Sequence, residues 1–322
     1  MMIPLLTVLV TLQSIDQHSC DEPHPAICTV QTLMAAGELD EAAAVAEELL
    51  SVSGASKNTQ IKLHLELAKI LDRIGLHQNS RPVEESLDHI RRAERLLAGE
   101  GGVLKARVEL EKANHHYHAE MRGREFPSAM RHAQHALLLF DEGGNIHGQS
   151  DAVHQLGLIH MQRREFGKAR ELFERSLELD DQAGSRGALR GDYERHVGFL
   201  YFLDDSTGAA VSYFERSLKY RREAGLIDQS MFAAETFASA LLDVGRAEEA
   251  RDPLLYALML AEKLDSPVGK SRVGFTLGEM YEQLGDTQAA IETYEMTLRV
   301  AESVGYDSVG RLARVALERL EK

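Results

Sequence analysis

Histidine is the residue type in this chain whose number and spacing could support chemistry. Fourteen histidines are present, and many of them lie in the stretch 115–160. His115 and His118 have the i,i+3 spacing that places two imidazoles on one helix face, where they could hold a metal ion. His132 and His135 repeat that spacing. Because imidazole titrates near neutrality, these residues could also make a binding groove sensitive to pH.

The cysteines and the familiar catalytic motifs give no comparable signal. Cys20 and Cys28 lack CxxC or Cys/His finger spacing, so a structural zinc site is not expected. The chain contains no G-x-S-x-G, no H-E-x-x-H and no phosphate-binding glycine loop. We therefore predict a non-enzymatic protein that needs no cofactor.

The N-terminus bears on the redox state of the two cysteines. Residues 3–12 (IPLLTVLVTL) form an uncharged apolar run of signal-peptide length that is too short to span a bilayer. The run favours a periplasmic or secreted protein over a cytoplasmic one, although no Lys or Arg precedes it and a buried first helix is the alternative. Export would allow a disulfide between Cys20 and Cys28, whereas a cytosolic chain would keep two thiols.

Composition and charge narrow the class of partner. Hydrophobic residues make up 44% of the 322 positions, enough for a core along the whole chain. The formal net charge of −15 disfavours nucleic acid, which is bound through phosphate neutralisation, and also anionic membrane surfaces. No later stretch is apolar enough for a membrane span. A protein or peptide partner is therefore expected.

The elements that must position these side chains repeat along the chain. Three segments share a Leu/Val-Gly-x-x-His/Tyr motif followed by Ala-x-x-x-Phe/Tyr. Their glycine, alanine and aromatic positions are Gly157, Gly198 and Gly278, then Ala169, Ala210 and Ala290, then Phe173, Phe214 and Tyr294. A fourth copy has Ala238 in the glycine position and Leu254 in the aromatic position. The motif predicts a helical hairpin in which the glycine lets the second helix approach closely.

A second marker has the same period. Helix-terminating residues recur every 40 or 41 positions, at Gly144, Gly184, Gly225, Asp265 and Gly305. Glycine is expected there in the left-handed conformation that ends a helix, and Asp265 is tolerable in its place. We predict repeats of about 40 residues over 110–310, divergent helix pairs over 23–109 and a capping helix with a charged face over 311–322. Residues 1–22 form a candidate signal peptide or flexible N-terminus.

The motif and its phase resemble the tetratricopeptide repeat family, well over 110–305 and loosely over 23–109. The period of 40 rather than 34, and the missing proline at the end of the second helix, point to the long-helix variety of the repeat. That variety resembles kinesin light chain and the bacterial peptide-pheromone receptors. The resemblance implies an all-α, right-handed superhelical solenoid of about seven antiparallel helix pairs plus the capping helix.

In this family the first helix of each pair lines a concave groove that holds a peptide or a partner helix. Carried over by position, the resemblance places that groove at Asn114, His115, His118, Asp151, His154, Leu158, Asp192, Arg195, Phe199, Phe202, Glu235, Ser239, Arg272, Phe275 and Glu279. The Lys/Asn/Arg carboxylate clamp of the family is not visible here, and the Asn-Asn pair before the Leu-Gly is absent. Neither familiar binding mode therefore transfers to this chain.

Three functions fit these observations. We favour a bacterial, non-enzymatic interaction scaffold that binds a peptide or a partner helix in the groove. The alternatives are a sensor module that binds a small signalling peptide and acts on a separate effector, and a periplasmic metal-binding protein that uses the stretch 115–160. In the repeat register the two histidine pairs face opposite surfaces of their hairpin. We therefore predict no metal site and interpret the histidines as ordinary polar surface residues.

Overall fold

The computed structural model describes residues 24–51, 54–78, 84–99, 101–121, 123, 125–204 and 206–320. The candidate signal peptide and Cys20 lie outside these residues, so export and the disulfide stay predictions. Every regular element in the described part of the chain is a helix. Among these helices, none is both long enough and apolar enough to cross a membrane.

Fifteen helices follow one another in the described residues and pack as consecutive pairs. The first two pairs are α1 (Pro25–Ala35) with α2 (Leu39–Ser51), and α3 (Lys57–His77) with α4 (Glu84–Leu97). The next three are α5 (Val103–Glu120) with α6 (Pro127–Glu142), α7 (Ile146–Gln162) with α8 (Phe166–Ala183), and α9 (Gly187–Leu203) with α10 (Thr207–Glu223). The last are α11 (Ile227–Asp243) with α12 (Ala247–Lys263), and α13 (Pro267–Gln283) with α14 (Thr287–Ser303), followed by the single helix α15 (Asp307–Leu320). The predicted all-α solenoid of seven pairs and a terminal helix is confirmed.

The five predicted helix terminators lie where one pair gives way to the next. Backbone φ is positive at all five, for example 107° at Gly184 and 69° at Gly225. Asp265 takes the same left-handed conformation with φ of 41°, which is costly for a residue that has a Cβ atom. The terminator prediction is therefore confirmed, including its one departure from glycine.

Within a pair, the two helices approach most closely at the glycine and aromatic positions of the motif. A Cβ atom at Gly198 would lie 2.7 Å from Cε1 of Phe214, which is too close for two carbon atoms. A Cβ atom at Gly278 would lie 2.4 Å from Cε1 of Tyr294. In the fourth copy, Ala238 and the smaller Leu254 belong to one buried cluster. A larger side chain at the glycine position is therefore matched by a smaller one at the aromatic position, and the two helices stay close.

The terminal helix α15 begins at Asp307, earlier than the predicted boundary at 311, and packs against α14. Its charged face is present, and Arg319 donates to Glu282 at 2.6 Å. The same helix also exposes Leu312 and Val315 to solvent. The outer face of the last helix is therefore mixed rather than uniformly charged.

Helices of the first two pairs contact helices of the sixth and seventh pairs. Arg73 on α3 pairs with Asp228 on α11 at 2.7 Å from Nη2 to Oδ2, although 155 positions separate the two residues. Arg73 Nη2 also donates to the carbonyl oxygen of Met34 at 2.8 Å. His77 Nδ1 lies 2.9 Å from Oγ of Ser266 at the start of α13. We call this contact, formed by Arg73, His77, Asp228 and Ser266, the seam.

Apolar contacts extend the seam at the first turn of the chain. A Cβ atom at Gly37, between α1 and α2, would lie 2.3 Å from Cδ2 of Leu264 and 3.6 Å from Cβ of Ile227, so only glycine fits here. The ring of His77 stacks on Phe232 with centroids 5.8 Å apart. The seam encloses the surface formed by the first helices of the pairs, which we call the lumen. A concave groove is expected from the repeats, whereas its closure by the seam is not.

Candidate ligand-binding lumen

All fifteen residues predicted to line the groove lie on first helices of the pairs, from α5 to α13. His115, His154 and Glu235 are buried, His118 and Phe202 are exposed, and Asn114, Asp151, Leu158, Asp192, Arg195, Phe199, Ser239, Arg272, Phe275 and Glu279 are half-buried. Their role in binding stays a prediction. Their contacts divide the lumen into three regions with different charge.

The first region is a polar cavity of about 300 Å³ bounded by α1, α3, α5 and α7. Lys69 Nζ lies 3.4 Å from an oxygen of Glu66 and 3.4 Å from an oxygen of Glu111. Burial opposes the charge of Lys69, but the two carboxylates outweigh burial and raise its pKa. Gln31 Nε2 donates to Glu66 at 2.9 Å, and Asn114 Nδ2 donates to Glu111 at 3.1 Å. The charges in this cavity therefore compensate one another.

Arg186 lines the side of the cavity that is nearest to α9. Its Nη2 donates to Asp151 on α7 at 2.8 Å, and its Nε donates to Asp180 on α8 at 2.6 Å. Asp180 also accepts from the backbone N–H of Arg186 at 2.7 Å. These bonds join α7, α8 and the start of α9, and they hold the predicted groove residue Asp151 in place.

Sequence reasoning missed several charged residues of this cavity. Arg186 lies between two repeats, outside the positions that the family resemblance assigns to the groove. Glu66 and Lys69 lie on α3, where the motif does not align well. A signal was nevertheless present, because a carboxylate and an amine three positions apart interrupt an apolar run of α3.

The second region contains buried histidines. The rings of His154 and His196 have centroids 5.0 Å apart, and His196 stacks on Phe173 at 5.1 Å. Burial lowers the pKa of both imidazoles, so both are neutral at neutral pH. His77 and His115 are buried as well. The interpretation of the histidines as surface residues is therefore wrong for these four.

The two histidine pairs of the sequence analysis do not come together. His132 Nδ1 lies 2.7 Å from Oε2 of Glu109, and His135 Nδ1 lies 3.3 Å from the same oxygen. His115 is buried, whereas His118 is exposed. Within the described ranges, no group of three or more His, Cys, Asp or Glu side chains could hold a metal ion. The metal-binding alternative therefore gains no support from the described residues.

The third region, toward the C-terminus, is acidic. Glu235 on α11 accepts from Nη2 of Arg272 on α13 at 2.5 Å. Burial, and then the nearby carboxylates of Asp243 and Glu282, raise the pKa of Glu279 to about 7. A carboxyl group with this pKa is partly protonated at neutral pH, so it can both donate and accept a hydrogen bond.

Arg195 lies between the histidines and the acidic region. Its guanidinium carbon is 5.4 Å from the ring centroid of Phe199 on the same helix. Burial, and then the like charge of Arg221, lower the pKa of Arg195 to about 10, so it remains charged at neutral pH. Along the lumen, compensated charges are thus followed by neutral, buried imidazoles, then by the cation Arg195 and finally by carboxyl groups.

Comparison with known proteins agrees with the repeated hairpins. Residues 152–187 and 276–305 match the family model of the tetratricopeptide repeat. Over 150 residues, 47% of this chain, the sequence is 28% identical to Tetratricopeptide repeat protein 29 of Trypanosoma brucei brucei (strain 927/4 GUTat10.1). The match spans 30% of that relative's length. Two segments of this chain therefore match the tetratricopeptide repeat.

Solved structures of other helical proteins share this fold over most of the chain. NprR in complex with its cognate peptide NprX covers 99% of this chain and 94% of its own, with a TM-score of 0.59 and 13% identity. A Rap protein complexed with Competence and Sporulation Factor covers 92% and 96%, with a TM-score of 0.57 and 13% identity. The APC/C hetero-tetramer Cut9-Hcn1 covers 96% and 52%, with a TM-score of 0.63 and 15% identity. At these identities the similarity concerns the fold alone.

Proposed function

We propose that this protein is a non-enzymatic interaction module that binds a peptide in its lumen. The observation that carries the proposal is the polar cavity of about 300 Å³ among the first helices. A cavity of this size accommodates a short extended segment of chain, whereas a helix is about 10–12 Å across with its side chains. The enclosed shape therefore favours an extended peptide over a partner helix.

Two of the similar structures support a peptide ligand. NprR was solved with its cognate peptide and a Rap protein with Competence and Sporulation Factor, and each covers more than 90% of this chain. The likeness includes the helices that line the lumen. The residues that hold a ligand here must nevertheless be this chain's own, because identity to both structures is 13%.

The seam favours a second role, that of a sensor. It joins α3 to α11 and α13 through polar contacts between residues 155 and 189 positions apart. A ligand that moves α11 or α13 relative to α3 would change the curvature of the solenoid, since the second pair is joined there to the sixth and seventh pairs. In this role the ligand is a small signalling peptide, and the effector is a separate protein.

The proposed peptide site can be tested by filling the lumen. Ser239 lies on α11 one turn after Glu235 and one turn before Asp243, so the three residues share one helix face. Because both carboxylates act on Glu279 of the adjacent first helix α13, this face of α11 belongs to the acidic region of the lumen, and Ser239→Trp should place an indole ring in the ligand's path. Ser212→Trp, on the exposed surface of α10, adds the same ring outside.

The measurement is mass spectrometry of peptides that co-purify with the protein from its native host and are released by acid. We expect recovery from wild type and Ser212→Trp, and at least about a tenfold loss from Ser239→Trp. The proposal fails if wild type carries no peptide, or if all three proteins carry the same amount.

A further inference from the structure

Most cations of the lumen have carboxylate partners. The pairs are Lys69 with Glu66 and Glu111, Arg186 with Asp151 and Asp180, Arg221 with Asp192, and Arg272 with Glu235. Arg195 differs, because it forms no ion pair with any Asp or Glu of the described residues. On its own helix, Asp192 is bound by Arg221 and Glu194 by Arg216. Arg195 is therefore a cation without an ion-pair partner of its own among the described residues, although the charge of Asp192 acts on it.

The surroundings of Arg195 hold its guanidinium in place without satisfying it. Its Nη2 lies 3.3 Å from Nε2 of the neutral His196, and its carbon lies over the ring of Phe199. Its Nε is buried and has no hydrogen-bond partner among the described residues. A buried donor without an acceptor is costly, and a cation that lacks its anion is more so. The aromatic ring supports one face of the guanidinium and leaves N–H donors for a ligand.

Arg195 also occupies a central position in the lumen. Arg272 on α13 and the phenol of Tyr117 on α5 both influence the pKa of its guanidinium, so Arg195 is near helices two pairs away in either direction. Arg221 and Arg272 add positive potential at the same place, although each is already paired. An anion that entered the lumen would therefore be attracted to Arg195 in particular.

We propose that Arg195 binds a carboxylate of the peptide ligand. This inference rests on the proposed function of the lumen and specifies its ligand as acidic at one position. A carboxylate matches the planar guanidinium, which can donate two parallel N–H bonds to its oxygens. It also supplies the missing negative charge beside Phe199. The carboxylate belongs either to an Asp or Glu side chain or to the C-terminus of the peptide.

A displayed library of random heptapeptides, selected on the wild-type protein, provides the probes. Selected peptides are synthesised with Asp and Glu replaced by Asn and Gln, or with an amidated C-terminus, and their affinities are measured by calorimetry. We expect Arg195→Gln and one of the two peptide changes each to weaken binding roughly 10–100-fold. Combined, the two changes should weaken binding little further, because they remove the same contact.

Arg190→Gln is the matched control, since Arg190 lies on the same helix but pairs with the exposed Asp181. This variant should bind the selected peptides as wild type does. Peptides that bind wild type and Arg195→Gln equally well would overturn the carboxylate site and leave the lumen function standing.

A second measurement requires no peptide. Arg195→Met removes an uncompensated charge, so the unliganded variant should melt about 2–4 °C higher than wild type. Glutarate, used as a dicarboxylate probe, should raise the Tm of wild type but not that of the variant. A lower Tm for Arg195→Met would show a structural role and reject the site. If the library yields no peptide but glutarate stabilises wild type alone, the peptide function fails and the carboxylate site stands.

Discussion

Glu279 shows how the lumen controls the ionisation of one side chain. Burial, and then Asp243 and Glu282, raise its pKa from 4.5 to about 7. Below about pH 4.5 the carboxyl group is protonated in both the folded and the unfolded protein, so it does not affect folding. As the pH rises toward 7, ionisation favours the unfolded protein, where the carboxylate is solvated. Glu279 therefore destabilises the fold at neutral and alkaline pH.

We predict that Glu279→Gln increases the free energy of unfolding by about 1–2 kcal/mol at pH 8 and by less at pH 5. The gain stays below the full linkage value because solvent reaches part of the carboxyl group. Urea unfolding followed by circular dichroism measures both values. Glu262→Gln, at an exposed position of α12, is the control and should change neither. An equal gain for Glu279→Gln at both pH values would contradict the raised pKa.

The buried histidines titrate with the opposite sign. Burial holds the pKa of His115, His154 and His196 below 6.5, so protons bind the unfolded protein preferentially as the pH falls through 6.5. Their contribution to stability is thus present above pH 6.5 and lost below it. The contribution of Glu279 is therefore the difference in the free energy of unfolding between the variant and the wild type at the same pH, in which the histidine effects cancel.

At the scale of the helix pair, the glycine and aromatic positions share one fixed volume. Gly198 faces the ring of Phe214, whereas the next pair has Ala238 with the smaller Leu254. The extra methyl of the alanine and the loss of the ring compensate each other. This exchange explains how the fourth copy keeps the same close packing without the glycine.

We predict that Gly198→Ala lowers the free energy of unfolding by about 1–3 kcal/mol, because its methyl overlaps the ring of Phe214. In a Phe214→Leu background the same change should cost at least about 1 kcal/mol less, since leucine leaves room for the methyl. Urea unfolding of the four proteins gives the coupling energy. Gly208→Ala, where nothing lies within 4 Å of the added methyl, should not destabilise the protein. Additive costs would show that the two side chains do not compete for volume.

At the scale of the whole molecule, the seam decides whether the solenoid is open or closed. Arg73 and Asp228 form its central ion pair, and the carboxylate is almost fully buried. Burial alone would raise the pKa of the Asp228 carboxyl group, but the contacts with His77 and Arg73 lower it by more. The favourable contacts outweigh the cost of burial, so the paired, ionised state is the stable one.

We predict that Arg73→Met opens the seam, because it leaves Asp228 buried without its cation, at a cost of about 3 kcal/mol. The radius of gyration from small-angle X-ray scattering should increase, and the amides of α1 and α3 should exchange faster with deuterium. Arg91→Met, which removes an exposed ion pair with Asp88 on α4, should change neither quantity. An unchanged radius of gyration for Arg73→Met would mean that apolar packing around Gly37 closes the solenoid alone.

Local sequence specifies the helices, their period and their pairing. Left-handed terminators such as Gly225 and Asp265, and the exchange of volume between Gly198 and Phe214, depend on residues within one or two repeats. Because such residues recur at the same spacing in each repeat, they can be recognised in the sequence without a structure. They also place the fifteen predicted groove residues on the first helices.

Only the tertiary structure shows the closure of the solenoid and the state of its inner charges. The seam pairs Arg73 with Asp228 across 155 positions, and its formation depends on small rotations that accumulate from repeat to repeat. The same rotations bury His154 and leave Arg195 without an ion-pair partner among the described residues. Whether a charge finds its partner depends on distances in space between separate helices, and no local pattern in the sequence encodes those distances.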